Sequence, residues 1–360
     1  MIRASWPIAC AVALTTMMVS LNIWSHYYNQ GTTHGIHSLL KFLNRNNMQE
    51  MIASAAPHSS NDFIYLIQTE SCLSSYLMHK GLLGDATSRK VLVLSWKTPC
   101  KEANALRYEH IEYLYKADTT WSEGRNFLYR FSKSLPGDYL YYIFLDDDME
   151  FYFRNDLHRH RYRVRGIQSP LQAFEDFLRR YQPAVGMPMH CSRCLRPTGI
   201  AGEFESLCCD KMNRMEPLPD YLPVAIHFDA AFNAFHKNAV GFLLPYRLDY
   251  ENQSWWESQK FVILLTDILF RGQVLRFSPV TAINIQHRTY PKLALDNWRA
   301  IYDILRSETP TEYRNRMLFV PNSSNVDVFP VVKDNVMYTP TWNITIPRTK
   351  TPVIPYKHFI

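Results

Sequence analysis

An unbroken apolar run, Tyr139-Leu140-Tyr141-Tyr142-Ile143-Phe144-Leu145, leads straight into three adjacent carboxylates, Asp146-Asp147-Asp148. Such a run after the breaker Pro136-Gly137-Asp138 predicts a strand buried on both faces. Strands of that kind belong to sheets covered by helices on both sides. Ligands of open α/β sheets bind beyond the carboxyl ends of the strands, so this acidic cluster lies where a site is expected. Adjacent carboxylates at a buried strand end repel one another unless a cation compensates them. If the strand continues through the triplet, Asp146 and Asp148 face one side and Asp147 the other. The competing reading is a solvated acidic turn that caps the strand.

Further apolar runs flank this one. Phe63–Ile67, Val91–Trp96 and Ile111–Tyr115 predict strands, and Ser74–Lys80 reads as helical. Thr120 with Glu123 three residues on forms a capping signature for a helix over Thr120–Ser134. Pro170–Tyr181 and Trp255–Arg271 read as helices. Ala184–Met187, Gln273–Phe277 and Ala282–Gln286 read as strands. Alternating strands and helices predict a mostly parallel central sheet flanked by helices. At 360 residues and 47% hydrophobic composition, the chain has ample material for one large domain. The net charge of +6 is modest and gives no nucleic-acid signal.

The N-terminus predicts a membrane anchor. No Asp, Glu, Lys or Arg occurs from Ala4 to Gln30, and Pro7–Trp24 is mostly apolar. As a helix it spans roughly 27 Å, close to a bilayer core. Arg3 precedes it, so the short tail stays cytoplasmic and the remainder is translocated. A cleaved signal peptide, giving a secreted protein, is the alternative. The expected organisation is a tail over 1–6, an anchor over 7–25, a stem over 26–60, a luminal catalytic domain over 61–308 and a peripheral tail over 309–360. Sequons at Asn252, Asn322 and Asn343 fit a luminal body. So do the cysteines beyond Cys10: Cys72 and Cys100 follow two predicted strands, and Cys191, Cys194, Cys208 and Cys209 cluster locally. Disulfides suit that cluster better than zinc, because adjacent Cys208 and Cys209 make poor joint ligands.

Tyr141-Tyr142-Ile143-Phe144-Leu145-Asp146-Asp147-Asp148 resembles the strand-plus-DXD signature of GT-A-fold glycosyltransferases. The resemblance implies a nucleotide-diphospho-sugar transferase fold over roughly residues 62 to 290. It also implies a nucleotide-sugar donor, a glycan, protein or lipid acceptor, and Mn2+ or Mg2+. The anchor and stem match type II Golgi or ER members. Under the resemblance Asp146 and Asp148 hold the metal, and Asp146 and Asp147 face the donor. His287, in a late predicted strand, is the position-matched third ligand, with His227 as the alternative. Glu257 after Trp255-Trp256 resembles the base-bearing loops of inverting members. Otherwise it is a carboxylate favoured at a helix start. Asp229 is the second candidate base.

Arg125, near the start of a predicted helix, either contacts donor phosphates or braces the triplet's loop. The basic stretch Arg154–Arg165 reads as a solvated loop or a donor clamp. Two other functions use the same residues: a metal-dependent luminal hydrolase and a non-catalytic relative. The first is disfavoured by the absence of a His-rich two-metal pattern.

Overall fold

Apolar runs that alternate across β1 (Phe63–Thr69) build two cores at once. Ile64 and Leu66 enter one cluster, while Phe63, Tyr65 and Ile67 enter another on the opposite face. The computed structural model describes residues 62–84, 89–102, 108–191, 195–197, 204–206, 221–223, 228–249, 251, 254–270, 273–285, 298–308, 311, 319–320 and 331–332. All of them lie in the unit Ser59–Ile360.

The remaining strands are β2 (Arg89–Ser95), β3 (Ile111–Tyr115), β4 (Tyr141–Asp146), β5 (Met149–Phe153), β6 (Val185–Cys191), β7 (Leu195–Pro197), β8 (Phe204–Ser206), β9 (Tyr221–Pro223), β10 (Phe232–His236), β11 (Val274–Asn284), β12 (Phe319–Val320) and β13 (Val331–Val332). Among the described residues the main sheet runs β3-β2-β1-β4-β10-β6-β11-β5, with β9 also on β11. β7–β8 and β12–β13 form separate two-stranded pieces.

The sheet is mixed, which corrects the mostly parallel expectation. β3, β2, β1 and β4 are mutually parallel, but β10 runs antiparallel between β4 and β6, and β5 and β9 are antiparallel to β11. Between β6 and β10 the described segments are strands rather than a crossover helix. A parallel neighbour needs such a crossover, whereas an antiparallel one does not.

Four helices cover one face: α1 (Trp121–Ser134), α4 (Lys237–Leu243), α5 (Trp255–Phe270) and α6 (Trp298–Glu308). Leu128, Val240, Leu264 and Ile301 from these helices meet Phe144 and Phe235 of the sheet. The other face carries α2 (Asp156–Val164) and α3 (Pro170–Tyr181), whose Tyr162, Phe174 and Phe177 pack on Phe232 and Phe277. There α3 also delivers Glu175 to Arg89, with the carboxylate held at 2.6 and 2.9 Å and the Tyr65 hydroxyl donating to it at 2.8 Å.

Local signals gave most element positions, and three readings change. Ser74–Lys80 is a run of turns, closed by Gly81 at φ +92. The basic stretch is a helix, α2, because Asn155 caps it and His158 and Tyr162 bury one narrow face. The two expected closing strands are one, β11, with a register shift between Phe277 and Thr281. Cys72 and Cys100 form a disulfide. Among the described residues no helix is long and apolar enough to cross a membrane. The anchor over 7–25 and the stem over 26–60 lie outside those residues, as do Asn252, Asn322, Asn343, Cys194, Cys208 and Cys209. Cys191 ends β6.

Candidate active site

β4 is buried along its length until Asp146, where the strand ends. Asp147 and Asp148 form the short turn into β5, so strand alternation stops at Asp146 and does not set the direction of Asp148. β4 and β5 do not pair with each other. The turn hands the chain from the sheet centre to the β11 edge, and Ile285 N donates to Asp148 O at 3.2 Å there.

The Asp146 carboxylate meets Arg125 of α1, whose Nη2 donates to Oδ1 at 2.6 Å. Arg125 is 2% exposed. Its Nη1 donates to Ala230 O at 3.0 Å, and its guanidinium lies over the Trp121 ring at 3.9 Å. One side chain thus ties α1, the end of β4 and the segment before β10. Asn126 adds to the brace: its side chain donates to Tyr246 O at 2.8 Å and accepts from Tyr246 N at 2.7 Å.

The α1 N-terminus is already satisfied. Thr120 and Glu123 complete the capping box, and the Glu251 carboxylate accepts from Ser122 N at 3.0 Å and from the Thr120 hydroxyl. The phosphate contact expected of this helix start is therefore taken up by protein groups, and Arg125 serves as the brace. At Gly124 a Cβ would come within 2.4 Å of the Gln68 carboxamide, so the end of the Gln68 side chain would have to move to admit one. Gln68, level with Asp146 in the β1–β4 register, donates to Thr120 O at 3.0 Å.

Burial pushes the Asp146 carboxyl up to about 7, and Asp148 and Asp229 push it the same way, while Arg125 opposes them. Asp146 therefore feels two further carboxylates besides Arg125, and it keeps 24% of its side-chain surface accessible. Asp229 is more open than Asp146, with 38% of its side-chain surface accessible. Its Oδ1 accepts from Ala231 N at 2.8 Å, and its Oδ2 lies 3.8 Å from His190 Nδ1. Behind it, Asn233 donates to Asp229 O at 2.6 Å and accepts from Gln259 Nε2 of α5 at 3.2 Å.

Glu257 stands apart from this group. It is 1% exposed, in the first turn of α5, and accepts from Lys260 Nζ at 2.8 Å. Trp255 stacks on Trp121 at 4.4 Å, continuing the brace under Arg125. His287 and His227 lie outside the described residues. Among the described residues no three His, Cys, Asp or Glu side chains are arranged to hold a metal ion. Hard carboxylate oxygens close enough to raise one another's pKa nevertheless suit Mn2+ or Mg2+, which bind through one or two carboxylates plus substrate phosphates. Gln68, His190, Asn233 and Gln259 had escaped the sequence reading. A polar residue closing an apolar strand, as at Gln68 and His190, was the available signal.

No protein-family profile and no curated protein matches the chain. Many solved structures share part of its shape, the following two among them. S. aureus TarS 1–349 superposes with a TM-score of 0.33 at 10% identity, over 68% of this chain and 64% of that one. GalNAc-T7 with UDP, GalNAc and Mn2+ superposes with a TM-score of 0.35 at 10% identity, over 70% of this chain and 49% of that one. The match thus spans less than two thirds of either structure. Likeness at this level assigns neither a family nor a chemistry.

Proposed function

We propose that the protein is a metal-dependent glycosyltransferase that moves a sugar from a nucleotide-sugar donor to a glycan, protein or lipid acceptor. The observation that carries this is Asp146 at the carboxyl end of β4, held by Arg125 and influenced electrostatically by Asp148 and Asp229. Asp148 would supply a carboxylate to Mn2+ or Mg2+, with the donor diphosphate and His287 the further candidate ligands. The bound ion would offset charge on the departing nucleoside diphosphate. Asp146, fixed by Arg125, orients the donor, and Asp147 lines its ribose side.

Asp229 is the base in this reading. It takes the proton of the acceptor hydroxyl as that oxygen bonds to the anomeric carbon and the bond to the diphosphate breaks. Its exposure favours it over Glu257, whose carboxylate is enclosed against Lys260. The Cys72–Cys100 disulfide supports an oxidising compartment. With the apolar N-terminus it supports a type II protein of the Golgi or ER membrane, the catalytic domain over 61–308 being luminal.

The test is release of nucleoside diphosphate from a panel of nucleotide-sugars by the purified full chain with Mn2+ and mixed acceptors. Asp148→Ala and Asp229→Asn should each lower it by at least about a hundredfold with the fold intact. Undiminished turnover in Asp148→Ala removes the mechanism. Turnover of phosphate esters instead of nucleotide-sugars makes the protein a hydrolase.

A further inference from the structure

Among the described residues the two most exposed large apolar side chains stand on one helix. Leu157 keeps 71% and Val164 73% of its surface accessible, both on α2. They are seven residues apart, two helical turns, and so share a face. His160 and Arg161 lie between them on that face and Arg163 flanks it, all three exposed. Apolar residues scattered singly on a surface need no explanation. A pair aligned on one helix and framed by cations has the layout of a helix that lies in a membrane interface.

Charge is concentrated at the same place. Residues 154–165 carry five arginines against one aspartate, in a chain whose net charge is +6. Arg159 meets Asp156 at 3.2 Å and Arg165 meets Asp176 at 2.8 Å, but such solvated pairs are weak and leave the face cationic. The helix is firmly mounted. Its inward residues are His158 and Tyr162, and the Tyr162 ring stacks on Phe153 and meets Phe277 edge-on. The path of the chain points the same way. Asp62, the first described residue, is held by Arg179 of α3 at 2.8 Å, and α3 covers the same face of the sheet as α2. Asp176 of α3 joins the two helices by binding both Arg165 and Arg180. The chain therefore enters the described domain beside this helix pair. A chain anchored through 7–25, as proposed, keeps a bilayer within reach of that entry point.

We infer that α2 docks the domain on an anionic lipid bilayer, with Leu157 and Val164 entering the acyl boundary and Arg161 and Arg163 meeting lipid phosphates. Guanidinium groups pair well with phosphate, and their long stems reach the headgroups from a helix lying in the interface. A lipid surface fits this face better than an acidic polymer does, because it alone takes up the exposed Leu and Val as well as the cations. β5 separates the docking residues from the acidic triplet by five residues, roughly 16 Å of strand, so they can be changed without touching the site.

The experiment is hydrogen exchange of the full chain on vesicles of phosphatidylcholine alone and of an equal mixture of phosphatidylcholine and phosphatidylserine. Mass spectrometry reads residues 156–164 and, as an internal control on the opposite face of the sheet, α5. Wild type should exchange over 156–164 at least about fivefold more slowly on the anionic vesicles, and high salt should restore part of the rate. Leu157→Gln combined with Val164→Gln should remove the slowing, while α5 keeps its wild-type rate and confirms the fold. Equal exchange on the two kinds of vesicle overturns the inference, as does slowing that persists in the double variant. Slowing by a soluble sulfated polysaccharide but not by vesicles assigns the face to an acidic polymer and also overturns it. No nucleotide or transfer enters the measurement. Its failure leaves the glycosyltransferase reading standing, and failure of sugar transfer leaves the docking face standing.

Discussion

The chain has two arginine–carboxylate pairs of equal length and opposite character. Arg89 and Glu175 meet at 2.6 Å on one face of the sheet, and Arg125 and Asp146 meet at 2.6 Å at the carboxyl end of β4. Glu175 is closed: Arg89 engages both oxygens, Tyr65 donates to one of them, and the side chain is 3% exposed. Asp146 offers one oxygen to one arginine, keeps an accessible face, and feels two further carboxylates. The first pair holds α3 to β1 and β2. The second stays partly accessible at the place where the sheet is expected to bind a ligand.

This contrast predicts unequal costs. Glu175→Ala strands a buried guanidinium and should lower unfolding free energy by about 3–5 kcal/mol in urea titration. The next effect belongs to His236, enclosed at the far end of β10. Its Nδ1 accepts from Asn238 N as the cap of α4, its ring meets Tyr141 edge-on, and burial, aided by Lys237, holds its pKa down to about 4. The folded state therefore refuses a proton that the unfolded chain accepts below about 6.5. Its share of stability is full above that pH and falls as pH drops towards 4, by roughly 2–4 kcal/mol. His236→Asn keeps the cap and should flatten the difference curve between pH 7 and 4. An unchanged slope would place its pKa near the ordinary value.

Gly124→Ala should cost about 1 kcal/mol, as the end of Gln68 moves aside and gives up its bond to Thr120 O. Adding Gln68→Ala should recover part of that loss, and strict additivity of the two would contradict the close approach. The smallest effect is expected at the open pair. Asp146→Asn removes carboxylate repulsion as it weakens the contact to Arg125, so stability at pH 7 should change by only about 1 kcal/mol or less. A loss as large as that of Glu175→Ala would erase the distinction between the two pairs.

Legibility followed the range of each interaction. The α1 capping box was readable because Thr120 and Glu123 are three residues apart, and α3 because Ser169 and Pro170 mark its start. Apolar runs located β1, β2 and β4 but carry no direction, so the antiparallel entry of β10 was hidden. In α2 only His158 and Tyr162 are buried, too sparse a pattern to stand out against five surrounding arginines (Arg154, Arg159, Arg161, Arg163 and Arg165). Ser278-Pro279 interrupts the pattern of β11, which the register shift absorbs. At the site, the triplet was legible as local sequence. The grip of Arg125 on Asp146 and Ala230 joins separate elements, and the choice between bracing and phosphate contact needed the structure. Glu257 beside two tryptophans read like an open base. Its partner Lys260, one helical turn on, encloses it instead.

The acidic end of β4 is tested most directly by calorimetric titration of nucleoside diphosphates into wild type and Asp148→Ala, with Mn2+ and with chelator. The account predicts binding at least about tenfold tighter with Mn2+ in wild type, and loss of that gain in Asp148→Ala. Equal affinity with and without metal, or a full metal-dependent gain in Asp148→Ala, would contradict it.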